Sequence, residues 1–206
     1  MKKKFLDPNL KNKSKTVEDK IQLFMFNGKN LPLPTEIEIS ESGTCNRSCS
    51  FCPRSASTFE DKKEFISNEL HEKLCRELKE LDYKGTIRYS GFVEPMLDKN
   101  IFNLINMVRN YLPQSNIEMV TNGDPLNLKR LKKLFESGLN KILISAYDGK
   151  EESEKLEDLC ISANLNEEQY IVRHRYYSED QDFGITLSNR SGLMEDAEFK
   201  IAALKE

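Results

Sequence analysis

The sequence lacks long apolar runs and an excess of charge of either sign. No stretch approaches the roughly 20 apolar residues of a membrane-spanning helix, and the basic residues 1–4 are not followed by the apolar segment of a signal peptide. The 206 residues include 31 basic and 34 acidic side chains, for a net charge of −3. The composition therefore predicts a cytoplasmic protein and gives no indication of a nucleic-acid partner.

Cysteine is scarce over most of the chain, but three of the five cysteines, Cys45, Cys49 and Cys52, lie within eight residues. On a short polar loop these thiols can turn toward one point, and thiolates are ligands for zinc, copper(I) or iron-sulfur clusters. Closely spaced intracellular cysteines are more often metal ligands than disulfide partners. Because three ligands leave a coordination position open, the pattern favours a catalytic metal centre over a closed structural one. Cys75 and Cys160 are expected to be core thiols.

Apolar patterning predicts strands that alternate with helices. The predicted strands cover residues 35–41, 85–90, 116–121, 141–147 and 169–177, with a short sixth at 183–188. Residues 55–65 are polar and carry no pattern. The three clearest helices combine a capping residue with an apolar stripe: Ser67 with Leu70, Leu74, Leu78 and Leu81; Asp98 with Ile101, Ile105, Val108 and Leu112; Asn127 with Leu128, Leu131, Leu134 and Phe135. His71, near the start of the first of these helices, is expected to be solvent-exposed.

The alternation of strands and helices predicts an α/β fold with a parallel sheet. A full eight-unit barrel typically needs about 250 residues, so the length favours a partial (β/α)5-6 parallel barrel. We predict an N-terminal arm and a short apolar outer segment over 1–34, a core domain over 35–192 and a tail over 193–206. The cysteine loop follows the first core strand and should lie at the carboxyl edge of the sheet, where such folds carry their chemistry.

The order Cys45, three residues, Cys49, Ser50, Phe51, Cys52 resembles the signature of the radical S-adenosylmethionine (SAM) enzymes. The resemblance implies that the three thiolates hold three irons of a 4Fe-4S cluster, and that the fourth iron binds SAM. It also implies the partial barrel, the reductive cleavage of SAM to a 5′-deoxyadenosyl radical that abstracts hydrogen from an unknown substrate, and an external electron donor of the flavodoxin or ferredoxin type.

Further segments at predicted strand ends match the same family. Residues 90–95 resemble its glycine-glutamate-proline motif, although Val93 stands where a second small residue is common. Residues 121–123 and 145–149 also follow strands, and in isolation each segment would be interpreted as a turn. By resemblance, the residues that contact SAM are Phe51, Ser90, Gly91, Glu94, Pro95, Asn122 and Ser145. On the fifth predicted strand, Arg173 either points inward and pairs with the carboxylate of SAM or is solvated on the outer face.

The C-terminal region departs from the family members that it otherwise resembles. Residues 188–192 are similar to the passage into a cysteine-rich SPASM-type domain, yet no cysteine follows Cys160. We therefore expect either a truncated form of a longer protein or an enzyme with a single cluster. A zinc-binding module, an electron-transfer iron-sulfur protein and a non-catalytic remnant stay open as alternatives; zinc would need a fourth ligand, and electron transfer would need four cysteines.

Overall fold

The computed structural model describes residues 21–49 and 51–176. Its strands are β1 Leu23–Phe26, β2 Lys29–Pro32, β3 Glu36–Ile39, β4 Ser42–Gly43, β5 Lys62–Phe65, β6 Thr86–Tyr89, β7 Asn116–Thr121, β8 Lys141–Ala146 and β9 Tyr170–His174. Its α-helices are α1 Asn68–Glu80, α2 Ile101–Tyr111, α3 Leu128–Glu136 and α4 Lys150–Ser162. The predicted sixth strand at 183–188, the segment 188–192, the tail and residues 1–20 lie outside the described residues.

Five strands form one sheet in the order β3-β6-β7-β8-β9, and every neighbouring pair is parallel. Each crossover between neighbouring strands carries one α-helix, from α1 between β3 and β6 to α4 between β8 and β9. Because successive right-handed βαβ units add strands in one direction, the sheet curves toward a barrel. The predicted partial parallel barrel is thus confirmed, and all five strands end at the same edge.

The two faces of the sheet are distinguished by what their side chains contact. Tyr89 on β6 faces the helices, because its hydroxyl lies 2.9 Å from Nε2 of His71 on α1. Ile87, Met119 and Ile142 follow the same alternation and are fully buried. Arg88 points to the opposite, inner face, where it binds carboxylates of neighbouring strands. The apolar core therefore lies between the sheet and its helices, and the inner face carries mostly polar side chains together with Val120 and Leu143.

Two helix starts agree with the sequence prediction and one differs. Ser67 Oγ accepts from the backbone N–H of Leu70 at 3.2 Å, and Asn127 Oδ1 accepts from the backbone N–H of Arg130 at 2.9 Å. The cap predicted at Asp98 is wrong, because α2 begins after Asn100. Asp98 instead accepts the Asn100 backbone N–H at 2.7 Å in the preceding turn.

The buried stripe of α1 is rotated relative to the prediction. His71, Cys75 and Leu78 are buried, whereas Leu70 is 57% exposed. The expectation that His71 is solvent-exposed is wrong, since its ring bonds to Tyr89 inside the core. A hydrogen-bonded histidine can replace a leucine in a core position. The predicted burial of Cys75 and Cys160 is confirmed, and the predicted inward position of Leu128 on α3 is wrong, because this residue is 39% exposed.

Smaller strand pairs flank the sheet. Residues 62–65, which carry no apolar pattern, form β5 and pair antiparallel with β4, so the sequence analysis missed this strand. β1 and β2 form a hairpin around Asn27 and Gly28, and most of its residues are exposed. Within the ranges given above, we find no helix with both the length and the apolarity needed to cross a bilayer.

A buried carboxylate lies between β3 and the cysteine loop. Glu41 is 1% exposed, and burial raises its pKa from 4.5 to about 7. The carboxylates of Asp98 and Glu94 add to the rise, while hydrogen bonding to the backbone and to Ser42 only partly offsets it. Glu41 is consequently protonated in the folded protein at mildly acidic pH, where the unfolded chain would ionise it.

This carboxyl group should make stability depend on pH. Because its folded pKa lies above the unfolded value, its stabilising contribution is complete below pH 4.5 and is lost as the pH rises through about 7. The 2.5-unit difference corresponds to a loss on the order of 3 kcal/mol. We expect urea unfolding at pH 5 and pH 8 to reveal this loss in the wild type and to lack it in Glu41→Gln. Equal pH dependence in the two proteins would contradict the assignment.

Candidate active site

The cysteine loop joins β4 to β5 at the carboxyl edge of the sheet. Cys45, Cys49 and Cys52 are partly exposed, and all three are free thiols. The Cys52 backbone N–H donates to the Cys49 carbonyl at 2.9 Å, and the Arg47 backbone N–H donates to Cys45 Sγ at 3.4 Å. The side-chain amide of Asn122, from the end of β7, approaches the same sulfur at 3.8 Å. Hydrogen bonds to thiolate sulfurs are a means of adjusting the reduction potential of an iron-sulfur cluster.

The three thiol sulfurs do not all lie as close together as the ligands of a single zinc ion. Sulfurs bound to one zinc ion at about 2.3 Å lie roughly 3.8 Å apart. Among the described residues, however, no set of three His, Cys, Asp or Glu side chains that includes a cysteine brings its ligand atoms within 4.8 Å of one another. Cys75 and Cys160 are buried on α1 and α4, so neither adds a fourth thiol to the loop. In this structure the three thiols are thus not drawn together around a single zinc position.

The three sulfurs also influence one another electrostatically. Burial raises the pKa of Cys49 from 9.0 to about 11, and the neighbouring Cys52 and Cys45 raise it further. Three thiolates in one loop repel each other, and bound cations relieve that repulsion. A loop that gathers thiols without another strong ligand is suited to a cationic metal core.

Glu94 anchors the loop that follows β6. Its carboxylate is 1% exposed and accepts hydrogen bonds from the Met96 backbone N–H at 2.9 Å, the Thr121 hydroxyl at 2.7 Å and the Asn122 backbone N–H at 2.7 Å. Burial raises the pKa of Glu94, and these three donors act in the opposite direction. The Glu94 backbone N–H donates to the Thr44 carbonyl at 3.0 Å. One residue therefore connects the ends of β6 and β7 to the residue before Cys45.

The same loop packs closely against Ser40 at Gly91. Gly91 has φ +125°, a conformation that favours glycine, and a Cβ atom there would lie 2.1 Å from Oγ of Ser40. Ser40 donates to the Ser90 carbonyl at 2.9 Å, which fixes the hydroxyl in this position. Pro95 opens a short 3₁₀ turn whose N-terminal cap is Glu94. Because residue 91 is glycine, the Ser40 hydroxyl can lie this close to the backbone at the carboxyl end of β6.

The ends of β8 and β9 complete the polar edge. Arg173 Nη2 donates to Ser145 Oγ at 2.6 Å, and both side chains are buried. Tyr147 follows β8, hydrogen-bonds to Ser145 and stacks on Phe51 with ring centroids 5.6 Å apart. Burial raises the pKa of the Tyr147 hydroxyl. The stacked pair brings the cysteine loop over the strand ends that carry the serine and the arginine.

Arg47 ties the cysteine loop to the ends of β7 and β8. Its guanidinium forms two hydrogen bonds with each of Asp124 and Asp148, among them Nε to Asp124 Oδ2 at 2.7 Å and Nη2 to Asp148 Oδ2 at 2.7 Å, and it contacts Glu152 at 3.2 Å. Oxygens of the three acids lie within 4.8 Å of one another, a spacing that would suit a cation; here the cation is Arg47. The hydrogen bonds that Arg47 donates to Asp124, and then those to Asp148, raise its pKa beyond its usual range.

Loss of this arginine should loosen the cysteine loop. In Arg47→Gln three carboxylates face each other without a cation, and we expect about 5- to 30-fold faster amide hydrogen exchange in peptides that cover residues 44–54, as for a local loss of 1–2 kcal/mol. Arg47→Lys keeps the charge but cannot form the bidentate hydrogen bonds. Its exchange rate should therefore lie between those of the wild type and Arg47→Gln. Wild-type exchange rates in Arg47→Gln would contradict a clamping role.

The structure brings most of the residues predicted for the site to one edge of the sheet. Cys45, Glu94 and Asn122 are linked by direct contacts, and a second group, Phe51, Ser145 and Arg173, is linked through Tyr147. The sequence analysis missed Arg47 and Asp124. An Asp within three residues of the end of each of two predicted strands and one arginine inside the cysteine loop were the available signals, but their pairing spans 77 and 101 residues of sequence.

Comparisons with known proteins agree with this geometry. The sequence model of the Radical SAM superfamily matches residues 39–180. An S-adenosyl-L-methionine-dependent 2-deoxy-scyllo-inosamine dehydrogenase of Niallia circulans is 30% identical over 161 residues, which cover 78% of this chain and 60% of the relative. A probable GTP 3′,8-cyclase of Thermococcus kodakarensis is 30% identical over 119 residues, or 57% of this chain and 36% of that protein.

A solved structure is similar in both sequence and fold. The crystal structure of BtrN in complex with AdoMet and 2-DOIA aligns with a TM-score of 0.64 and 27% identity, covering 79% of this chain and 63% of BtrN. The chain thus spans less than two thirds of the length of these first relatives. The family match covers most of the chain, including the cysteine loop and every strand end of the site, and the protein belongs to the radical SAM superfamily.

Proposed function

We propose that the chain binds a 4Fe-4S cluster through Cys45, Cys49 and Cys52 and uses it to cleave SAM. The observation that carries the proposal is the convergence of the cysteine loop, the Glu94 loop and the Ser145–Arg173 pair at one edge of the sheet. When bound, the cluster supplies the electron that breaks the sulfur–C5′ bond of SAM, giving methionine and a 5′-deoxyadenosyl radical that takes a hydrogen atom from the substrate.

The remaining residues of the edge are proposed to hold SAM. Arg173, fixed by Ser145, can donate hydrogen bonds to the carboxylate of the methionine part. Backbone carbonyls around Ser90 and Gly91 can accept from its amino group, and Glu94 adds its fourth acceptor position, since a carboxylate has about four and three are occupied. Phe51, held by Tyr147, offers an aromatic surface at the cysteine loop. Pro95 and Asn122 keep these loops in place.

The dehydrogenase relative suggests the net reaction. We infer that the substrate is a small polyol oxidised at one alcohol carbon, in line with the 2-deoxy-scyllo-inosamine dehydrogenase similar to this chain. The alcohol carbon would lose one hydrogen atom to the radical, then one electron, which would return to the cluster, and one proton, which would go to solvent, and it would become a carbonyl. Both electrons lost by the alcohol end in the products of SAM cleavage, so a flavodoxin- or ferredoxin-type donor is needed only to start the cycle.

The test is an anaerobic assay. The protein is reconstituted with iron and sulfide, reduced with dithionite and given SAM, and 5′-deoxyadenosine is measured by chromatography. We expect the amount of 5′-deoxyadenosine to rise in proportion to the amount of cluster bound per chain. A protein that binds the cluster but forms no 5′-deoxyadenosine would contradict catalysis by this chain and favour the non-catalytic alternative.

A further inference from the structure

The inner face of the sheet carries one carboxylate that the fold does not use. Glu38 on β3 lies in register with Arg88 on β6, and Arg88 points away from the helices. Neighbouring residues in register share a face. Glu38 is therefore an inner-face residue, and unlike Arg88 it is exposed.

Arg88 does not neutralise Glu38, although the two are neighbours. Its guanidinium is 1% exposed and donates to Glu118 at 2.7 Å and to Glu36. Both acids are thereby paired, and among residues 21–49 and 51–176 we find no hydrogen bond or ion pair made by Glu38. A carboxylate on the inner face of the edge strand β3, beside an arginine that is already engaged, is available to a ligand.

Glu38 also reaches the candidate active site. Its Oε1 lies 3.9 Å from the position that a Cβ atom on Gly91 would occupy, and Ser40, two residues further along the same face, lies against Gly91 as well. Gly91 belongs to the loop proposed to hold the methionine part of SAM. A molecule bound on the inner face of the sheet beside Gly91 would therefore contact the Glu38 carboxylate.

We propose that Glu38 is a substrate-binding residue that accepts hydrogen bonds from an ammonium group of the substrate, which makes the substrate a cationic amine. The inference rests on the proposed function. A carboxylate attracts an ammonium more strongly than a hydroxyl, because a charged donor meets a charged acceptor. The amino group of SAM has the same chemistry, and the experiment separates the two sources.

The experiment compares the wild type with Glu38→Gln and, as a control, Glu136→Gln, an exposed acid on the last turn of α3. Calorimetric titrations of the reconstituted protein measure the affinity for SAM alone. In the presence of SAM, they measure the affinity for 2-deoxy-scyllo-inosamine and for the cyclitol that carries a hydroxyl in place of its amine. Formation of 5′-deoxyadenosine is measured in parallel.

We expect the wild type and Glu136→Gln to prefer the amine, and Glu38→Gln to bind it about 10- to 100-fold more weakly with its SAM affinity unchanged. Weaker SAM binding in Glu38→Gln would overturn the proposal by assigning the carboxylate to SAM. Unchanged amine binding in Glu38→Gln, or a wild type that cleaves SAM but does not prefer the amine, would overturn it as well. A preserved amine preference without 5′-deoxyadenosine would instead contradict only the proposed catalysis.

Discussion

Replacing Cys49 by alanine is expected to reduce the formation of 5′-deoxyadenosine to the level without protein. Cys49 is the middle thiol of the loop, and its sulfur is close enough to Cys45 and Cys52 for both to raise its pKa. Without it, two thiols remain to hold a cluster that needs three. Changes in the outer shell of a metal site already cost 10- to 100-fold in affinity, so loss of a ligand should exceed about 100-fold.

The matched control for this variant is Cys160→Ala. Cys160 is fully buried on α4, and its truncation should cost stability on the order of 1 kcal/mol while iron content and SAM cleavage stay at the wild-type level. Iron and sulfide per chain, the visible absorbance of the cluster and 5′-deoxyadenosine are measured for all three proteins. Full activity in Cys49→Ala, or equal losses in both variants, would contradict the assignment of the loop as the cluster site.

Replacing Glu94 by alanine is expected to destabilise the protein by about 3–5 kcal/mol. The substitution leaves the Met96 and Asn122 backbone N–H groups and the Thr121 hydroxyl without an acceptor in a buried site. Because the Glu94 backbone also bonds to Thr44, the cysteine loop should shift and the capacity to hold a cluster should fall with stability. Urea unfolding measures the first effect and iron content the second.

Two further variants show whether the effect comes from these hydrogen bonds. Glu94→Gln keeps the volume and one acceptor oxygen but turns an N–H₂ group toward donors, so an intermediate loss is expected. Glu136→Ala removes an exposed carboxylate and should change the free energy of unfolding by less than about 0.5 kcal/mol. If Glu94→Ala unfolded at the same urea concentration as Glu136→Ala, Glu94 would not be the anchor of the two loops.

Local sequence signals were sufficient for the repeating part of the fold. The apolar run on β8 and the caps at Ser67 and Asn127 each depend on residues a few positions apart, and the structure has these elements where they were predicted. The sequence analysis missed β5 because all four of its residues are exposed, so the strand does not show the alternation of apolar and polar residues that marks a half-buried strand. The predicted exposure of His71 was wrong because a tertiary hydrogen bond to Tyr89, which helical periodicity does not reveal, holds its ring in the core.

The residues of the site also fall into two groups, those that local sequence signals identify and those that depend on contacts distant in sequence. Cys45, Cys49 and Cys52 could be identified because the spacing of the three ligands is itself local. The roles of Arg47 and Glu38 could not, since one depends on partners at two other strand ends and the other on a neighbour in register that is paired elsewhere. Such contacts follow from the order and register of the strands in the sheet. Sequence patterns predict the fold class but not this register.

The most direct test of SAM binding at the cluster is the electron paramagnetic resonance spectrum of the reduced, reconstituted protein before and after addition of SAM. If the three cysteines leave one iron open to SAM, the g values of the cluster signal should change on addition, and SAM labelled with ¹⁷O or ¹³C at its carboxylate should produce a hyperfine coupling to the cluster. An unchanged spectrum without hyperfine coupling would indicate a cluster that transfers electrons or is only structural, and would contradict SAM chemistry at this site.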